Sequence, residues 1–301
     1  MELTLPATAE AAFAHYEAVR PRLPQTDFPP EPQARSTTLE DVADRWDGFI
    51  LDAFGVLNVG ETPIPGAVDR MARLRAMGKK LCILTNAASF PRSEAVSKFR
   101  RLGYDFTADE IVASRDVAAA ALDGLDPGAT WGAIAREGDD FADLPVPAFD
   151  LLDGDWDRAD AILFLAAARW TPAHQARLIH AMEARPRLLV VANPDIVAPQ
   201  GTGLSVEPGF WAHHLLDRVP VPAHWFGKPF PEAFAVAAAR TGLPPHRLAM
   251  VGDTLHTDVL GGRAAGMGTV LVADHGLFAG RDAARFIHES GIVPDAVVAT
   301  T

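Results

Sequence analysis

From residue 47 onward, short apolar runs alternate with stretches of helical periodicity. The pattern predicts strands over 48–51, 80–84 and 110–113, separated by helices over 67–77 and 92–102 that Gly78 and Gly103 close. It returns with a strand over 224–226, a helix over 231–241, a strand over 248–251, a helix over 260–265 and a strand over 269–272. Strands spaced by helices of this length indicate βαβ units, hence an α/β fold with a parallel sheet. Between the two halves, over roughly 128–208, lies a second α/β pattern with strands at 130–134, 161–165 and 188–192. It reads as an inserted cap domain, leaving a core of 47–127 with 209–301. Residues 1–46 read as an N-terminal extension. There Thr8 is placed to cap a helix over 9–20, 21–32 is a proline-rich linker, and Thr38-Leu39-Glu40-Asp41 resembles a second helix start.

Composition narrows the function classes. The formal net charge is −12 and there is no run of Lys or Arg, which argues against a nucleic-acid or anionic-membrane surface. Apolar runs are far shorter than the ~20 residues that a membrane span needs, and the acidic Glu2 and Glu10 stand where a signal peptide would be basic and apolar. A cytoplasmic location is the expectation. The single Cys82 sits in the apolar run Leu81-Cys82-Ile83-Leu84 and reads as a buried hydrophobe. Lysine is scarce, so a lysine inside a motif carries more information than usual.

In an open parallel sheet, ligands bind at the carboxyl ends of the strands. The first strand ends in Asp52-Ala53-Phe54-Gly55, the second in Thr85-Asn86-Ala87, a later one in Gly227-Lys228-Pro229, and the next in Gly252-Asp253-Thr254-Leu255-His256-Thr257-Asp258. Carboxylates, a hydroxyl and an ammonium would thus converge on one edge, a set suited to phosphoryl transfer. Asp52 can attack phosphorus as a nucleophile. Asp52 and Asp253 can hold magnesium through oxygen, neutralising phosphate charge. Thr85 and the N–H groups after it can bind phosphate oxygens, and Lys228 can offset the negative charge of carboxylates and substrate.

These four segments, in this order and with these separations, resemble the motifs of the haloacid dehalogenase superfamily over most of 47–275. The resemblance implies a Rossmann-like core and a magnesium-dependent hydrolase. Gly252-Asp253-x4-Asp258, Thr85-Asn86, and Asn193-Pro194-Asp195 followed by Pro208-Gly209 look like the subgroup with a large cap between the second and third motifs. That subgroup, subfamily IIA, includes sugar-phosphate, nucleotide, pyridoxal-phosphate and 4-nitrophenyl phosphatases. By this likeness the substrate is a small phosphorylated metabolite. Asn86, Asn193 and Asp195 would contact it, Asp258 would support or ligate the metal, and two copies could associate through the cap. In one departure, the second aspartate of the first motif, the family's general acid/base, is Phe54 here. Its backbone carbonyl can still ligate the metal, but the proton relay is lost. That departure leaves open a dehalogenase-like hydrolase, or a catalytically weakened protein that binds phosphometabolites.

Each residue also has a plainer reading. Asp52, Asp253 and Asp258 could cap turns, Lys228 could be an ordinary exposed lysine, and Asn193 and Asp195 could form a turn around Pro194. His256, inside the fourth motif, could replace the missing relay, although a solvent-facing or capping histidine is the preferred expectation. Adjacent His213 and His214 point about 100° apart on a helix and are not expected to share a ligand. The tryptophans have no common spacing and read as packing.

Overall fold

The computed structural model describes residues 4–32, 34–200 and 203–301. Seven strands form a wholly parallel sheet in the order Ala34–Thr38, Ala296–Thr300, Gly268–Val272, Leu248–Gly252, Gly48–Leu51, Lys80–Thr85, Ile111–Ala113. Its central strands are buried on both faces, which is why they read as unbroken apolar runs. Successive side chains still alternate between faces. Ile50, Cys82 and Met250 share one apolar cluster with Phe234 and Ala237 of the helix Pro231–Thr241. Phe49, Leu51, Leu81 and Ile83 share another with Met71 and Leu74 of the helix Ala67–Ala76.

A second parallel sheet of five strands runs Ala223–Trp225, Leu188–Val191, Ala161–Phe164, Trp131–Ile134, Ala148–Asp150. It is backed by the helices Pro172–Ala184 and Pro208–Leu216. Thr171 starts the first of these, its hydroxyl accepting the His174 N–H at 3.2 Å, with Pro172 at the first turn. An antiparallel hairpin, Val197–Gln200 with Gly203–Val206, projects from this unit.

Two expectations are corrected by the topology. The strand near 224–226, expected in the core, pairs instead with Leu188–Val191 in the five-stranded sheet. Its hydrophobicity matches either sheet, and only long-range pairing decides between them. The residues before 47 are also not wholly an extension, since Ala34–Thr38 forms an edge of the core sheet beside Ala296–Thr300. That strand is polar and only half-buried in alternation, as an edge strand can be, so it has no apolar run to betray it.

The N-terminal helix, Ala9–Val19, forms as expected, with the Thr8 hydroxyl accepting the Ala11 N–H at 3.1 Å. Its buried stripe of Ala9, Ala12, Phe13, Tyr16 and Val19 joins an apolar cluster with Phe210 and Leu215 from the five-stranded unit and Leu255, Phe278 and Phe286 from the core. Thr38 and Asp41 form a capping box at the short helix Leu39–Arg45. No helix among the described residues is long and apolar enough to cross a membrane.

Candidate active site

At the carboxyl end of the strand Gly48–Leu51 the chain turns sharply, and Asp52 emerges at the centre of the core sheet's edge. The Ala53 carbonyl accepts from Leu57 and Asn58 at 2.8 and 3.0 Å, closing the turn. Gly55 within it has φ +72°, and a Cβ there would stand 2.6 Å from the Cβ of Asp253. Glycine thus serves both the left-handed backbone and the close approach of the neighbouring strand's aspartate.

Asp52, Asp253 and Asp258 each offer a carboxylate oxygen within 4.8 Å of the others. The Lys228 ammonium lies 2.5 Å from Asp52 Oδ1 and 2.7 Å from Asp258 Oδ1. Asp258 Oδ2 accepts the Thr254 N–H at 3.0 Å. Asp253 is held through both oxygens, accepting from the Leu277 N–H at 2.7 Å and the Thr254 hydroxyl at 3.0 Å. Asp258 and its neighbours occupy a short π-helical turn, Leu255–Val259, of the kind that often marks functional sites.

Lys228 does not follow a core strand. It lies three residues beyond Ala223–Trp225, where the chain leaves the five-stranded unit and re-enters the core through a cis Lys228–Pro229 bond. Gly227 in this crossing has φ +115°, and a Cβ there would meet Asn86 Oδ1 at 2.6 Å. That same oxygen accepts the Lys228 N–H at 2.7 Å, while Asn86 Nδ2 donates to the Lys228 carbonyl at 2.9 Å. Asn86 therefore grips the lysine's backbone from both sides. Its Nδ2 also donates to Asp195 Oδ1 at 2.8 Å, linking the core to the loop after Leu188–Val191.

The electrostatics follow from three clustered aspartates and a fourth nearby, all facing one lysine. Burial raises the Asp52 pKa to about 6; Lys228 opposes the shift and Asp258 adds to it. Burial, with Asp258 and Asp52 adding, lifts Asp253 well above the usual carboxylate range. Burial also lifts Asp195 to about 8, against the pull of Lys228. For Lys228, burial disfavours the ammonium, but Asp258, Asp52 and Asp195 outweigh it and hold the pKa above that of an ordinary lysine. One ammonium cannot balance this many carboxylates. The donor set of hard oxygens fits a divalent cation such as magnesium.

A cleft of about 410 Å³ opens over these groups. Asp52, Phe54, Thr85, Asn86, Asn193, Asp195 and Asp253 all line it, so the structure brings these sequence-selected residues together. Thr85 Oγ1 accepts the Ala87 N–H at 3.2 Å. Asn193 Oδ1 accepts the Asp195 N–H at 3.0 Å, the turn its plainer reading expects, and its Nδ2 donates to Glu207 Oε2 at 3.1 Å. The cleft also takes in groups that the sequence reading passed over, among them Glu61, Phe90, Glu94, Lys98 and Glu207. Lys98 places its ammonium 4.6 Å over the Phe54 ring and 3.3 Å from Glu61. The rarity of lysine was the one signal for it.

His256 meets neither expectation set for it. It is fully buried and absent from the cleft wall, with Nε2 2.5 Å from Glu17 of the N-terminal helix. Burial lowers its pKa although Glu17 opposes the shift. His213 stacks on Trp225 at 4.4 Å and His214 Nδ1 lies 3.1 Å from Gln175 Nε2, so the two rings part as their helical spacing implies.

Comparison with known proteins gives the family. Two family models match: haloacid dehalogenase-like hydrolase over 49–141 and a related hydrolase-like model over 225–300. Bovine (Bos taurus) chronophin is 30% identical over 79% of this chain and 84% of its own length. The chain belongs to the haloacid dehalogenase-like hydrolases. Among them it falls with the subfamily IIA phosphatases. A p-nitrophenyl phosphatase from Archaeoglobus fulgidus superposes with a TM-score of 0.70 at 25% identity, covering 85% of this chain and 96% of that one. A glycerol phosphate phosphatase from Mycobacterium tuberculosis, solved in complex with magnesium, gives a TM-score of 0.68 at 26% identity, with 85% and 75% covered. Residues 142–224 lie between the two matched stretches, while both ends of the carboxylate cluster lie within them.

Proposed function

We propose that this hydrolase is a magnesium-dependent phosphatase of a small phosphorylated metabolite. The observation that carries the reading is the meeting of Asp52, Asp253, Asp258 and Lys228 at one end of the core sheet. Asp52 attacks phosphorus, a bond forms from its oxygen, and the bond to the leaving oxygen breaks. Water then attacks the aspartyl-phosphate, releasing phosphate and restoring the carboxylate. Lys228 keeps Asp52 anionic and faces the charge that gathers on the phosphoryl oxygens. Thr85 and the amides after it bind those oxygens. Asp52, the Phe54 carbonyl and Asp253 would hold the ion, with Asp258 fixing Lys228. When bound, magnesium supplies charge neutralisation of the phosphate.

Phe54 stands where the proton donor of such enzymes is found, and its ring offers no proton. Leaving groups that depart without protonation should therefore be favoured. The five-stranded unit together with its hairpin forms the cap, which we place at about 128–226. Asn193 and Asp195 project from it onto the cleft and would contribute to substrate choice. The test is hydrolysis of p-nitrophenyl phosphate with magnesium by the wild type and by Asp52→Asn. Turnover lost in the variant supports the enzyme. Phosphate binding with no turnover in the wild type replaces it with a binding protein that retains the fold.

A further inference from the structure

The N-terminal helix lies outside both stretches matched by the family models, yet it touches the two halves of the site from behind. On the core side, the Tyr16 ring stacks on His256 at 5.0 Å and 9°, Phe13 meets the same imidazole edge-on at 5.4 Å, and Glu17 takes its Nε2. His256 belongs to the π-helical turn that presents Asp258 to Lys228. On the cap side, the Tyr16 hydroxyl accepts the buried Ile196 N–H at 3.1 Å. Ile196 follows Asp195, whose carboxylate reaches Asn86 beside the phosphate-binding Thr85. One side chain therefore spans from the turn that holds the core carboxylates to the loop that brings the cap to the cleft.

The rest of the helix anchors it to both bodies. Glu10 pairs with Arg281 at 2.8 Å and Phe13 packs on Phe286 at 5.0 Å, both in the core. His15 packs on Phe210 at 4.8 Å, and Arg22, just past the helix, pairs with Asp217 at 2.5 Å, both in the cap. The Asn86–Asp195 contact and the Arg115 fork onto Asp139 and Asp143 already tie the cap to the core, and a helix fastened to both bodies further limits its pivoting over the cleft. We propose that the N-terminal helix is a clamp that holds the Asn193–Ile196 loop over the core carboxylates, with Tyr16 as its positioning residue. Tyr16 touches no substrate; it acts through the backbone of Ile196 and the ring of His256.

Two variants of the full chain test this by amide hydrogen exchange and steady-state kinetics. Tyr16→Phe keeps the stacked ring and deletes the hydroxyl, leaving a buried N–H without its partner. Glu17→Gln weakens the core-side tie while leaving the cap loop's own contacts intact. In both, exchange across Asn193, Asp195, Ile196 and Val197 should quicken about tenfold, on the scale of one hydrogen bond. In Tyr16→Phe, KM for p-nitrophenyl phosphate should rise about five- to tenfold with kcat changed less than twofold, because the chemical groups are untouched. Faster exchange confined to the Ile196 amide in Tyr16→Phe, with loop exchange in Glu17→Gln and KM both unchanged, would overturn the clamp. Only the kinetic arm rests on the phosphatase reading. If the wild type hydrolyses no phosphomonoester, that reading fails while the exchange arm still decides the clamp.

Discussion

His213 offers a direct test of how burial sets charge in this fold. The imidazole is 1% exposed, stacks on Trp225, and has its Nδ1 buried without a hydrogen-bond partner. Burial, with Arg22 and His15 adding positive charge nearby, lowers its pKa to about 3. In the unfolded chain a histidine titrates near ~6.5. Above that pH the ring is neutral in both states and has no effect on the pH dependence. Below it the unfolded chain takes up a proton that the folded chain refuses, so stability falls with pH until about 3. At pH 5 the loss from this one residue is about 2 kcal/mol, from ~1.4 kcal/mol per pK unit. His213→Phe keeps an aromatic face against Trp225 and removes the titration. Urea unfolding followed by tryptophan fluorescence at pH 7.5 and pH 5 should show the variant losing about 2 kcal/mol less than the wild type on acidification. At pH 7.5 the variant should be no less stable, because a buried polar atom without a partner has been removed. Equal acid sensitivity in the two proteins would refute the assignment of a depressed pKa to His213.

Replacing Phe54 with Asp should raise hydrolysis of alkyl phosphates by up to about 10²-fold while changing aryl phosphates far less, as read from kcat/KM on glycerol phosphate and p-nitrophenyl phosphate. Chelation by EDTA should abolish turnover and added magnesium restore it, and Asp253→Asn should raise the magnesium concentration needed for half-maximal rate by more than tenfold. Arg115, fully buried, forks onto Asp139 at 2.6 and 2.9 Å and onto Asp143 at 2.7 Å. Arg115→Met strands the Asp139 carboxylate at 2% side-chain exposure and should cost about 3–5 kcal/mol in urea unfolding.

The parts legible in the sequence were those governed by local rules. Buried parallel strands such as Gly48–Leu51 and Leu248–Gly252 are unbroken apolar runs, and the polar residues that end them must lie at one sheet edge. That reasoning located Asp52, Thr85 and Asp253 on the cleft wall. Long-range pairing was not legible. Ala34–Thr38 is polar enough to pass for a linker and becomes a strand only because Ala296–Thr300 offers it a partner. His256 illustrates the same limit within the site. Its place in the fourth motif suggested chemistry, but a helix about 240 residues earlier claims the ring through Glu17. Lys228 was assigned to the site for the wrong local reason, since the strand before it belongs to the other sheet.

The route of the chain at Gly227–Pro229 has a consequence for engineering. The chain leaves the core after the helix Ser114–Leu125 to build the five-stranded unit and returns only after Ala223–Trp225, and the lysine paired with Asp52 follows within three residues. Asn86 of the core holds this return segment by its backbone at both N–H and carbonyl. A chimera that grafts another cap should therefore be spliced before Phe226, with the recipient's own Phe226-Gly227-Lys228-Pro229 retained. A junction placed two or three residues later would exchange the ammonium's tether along with the cap. The graft could then fold well and still leave the nucleophile without its counter-charge.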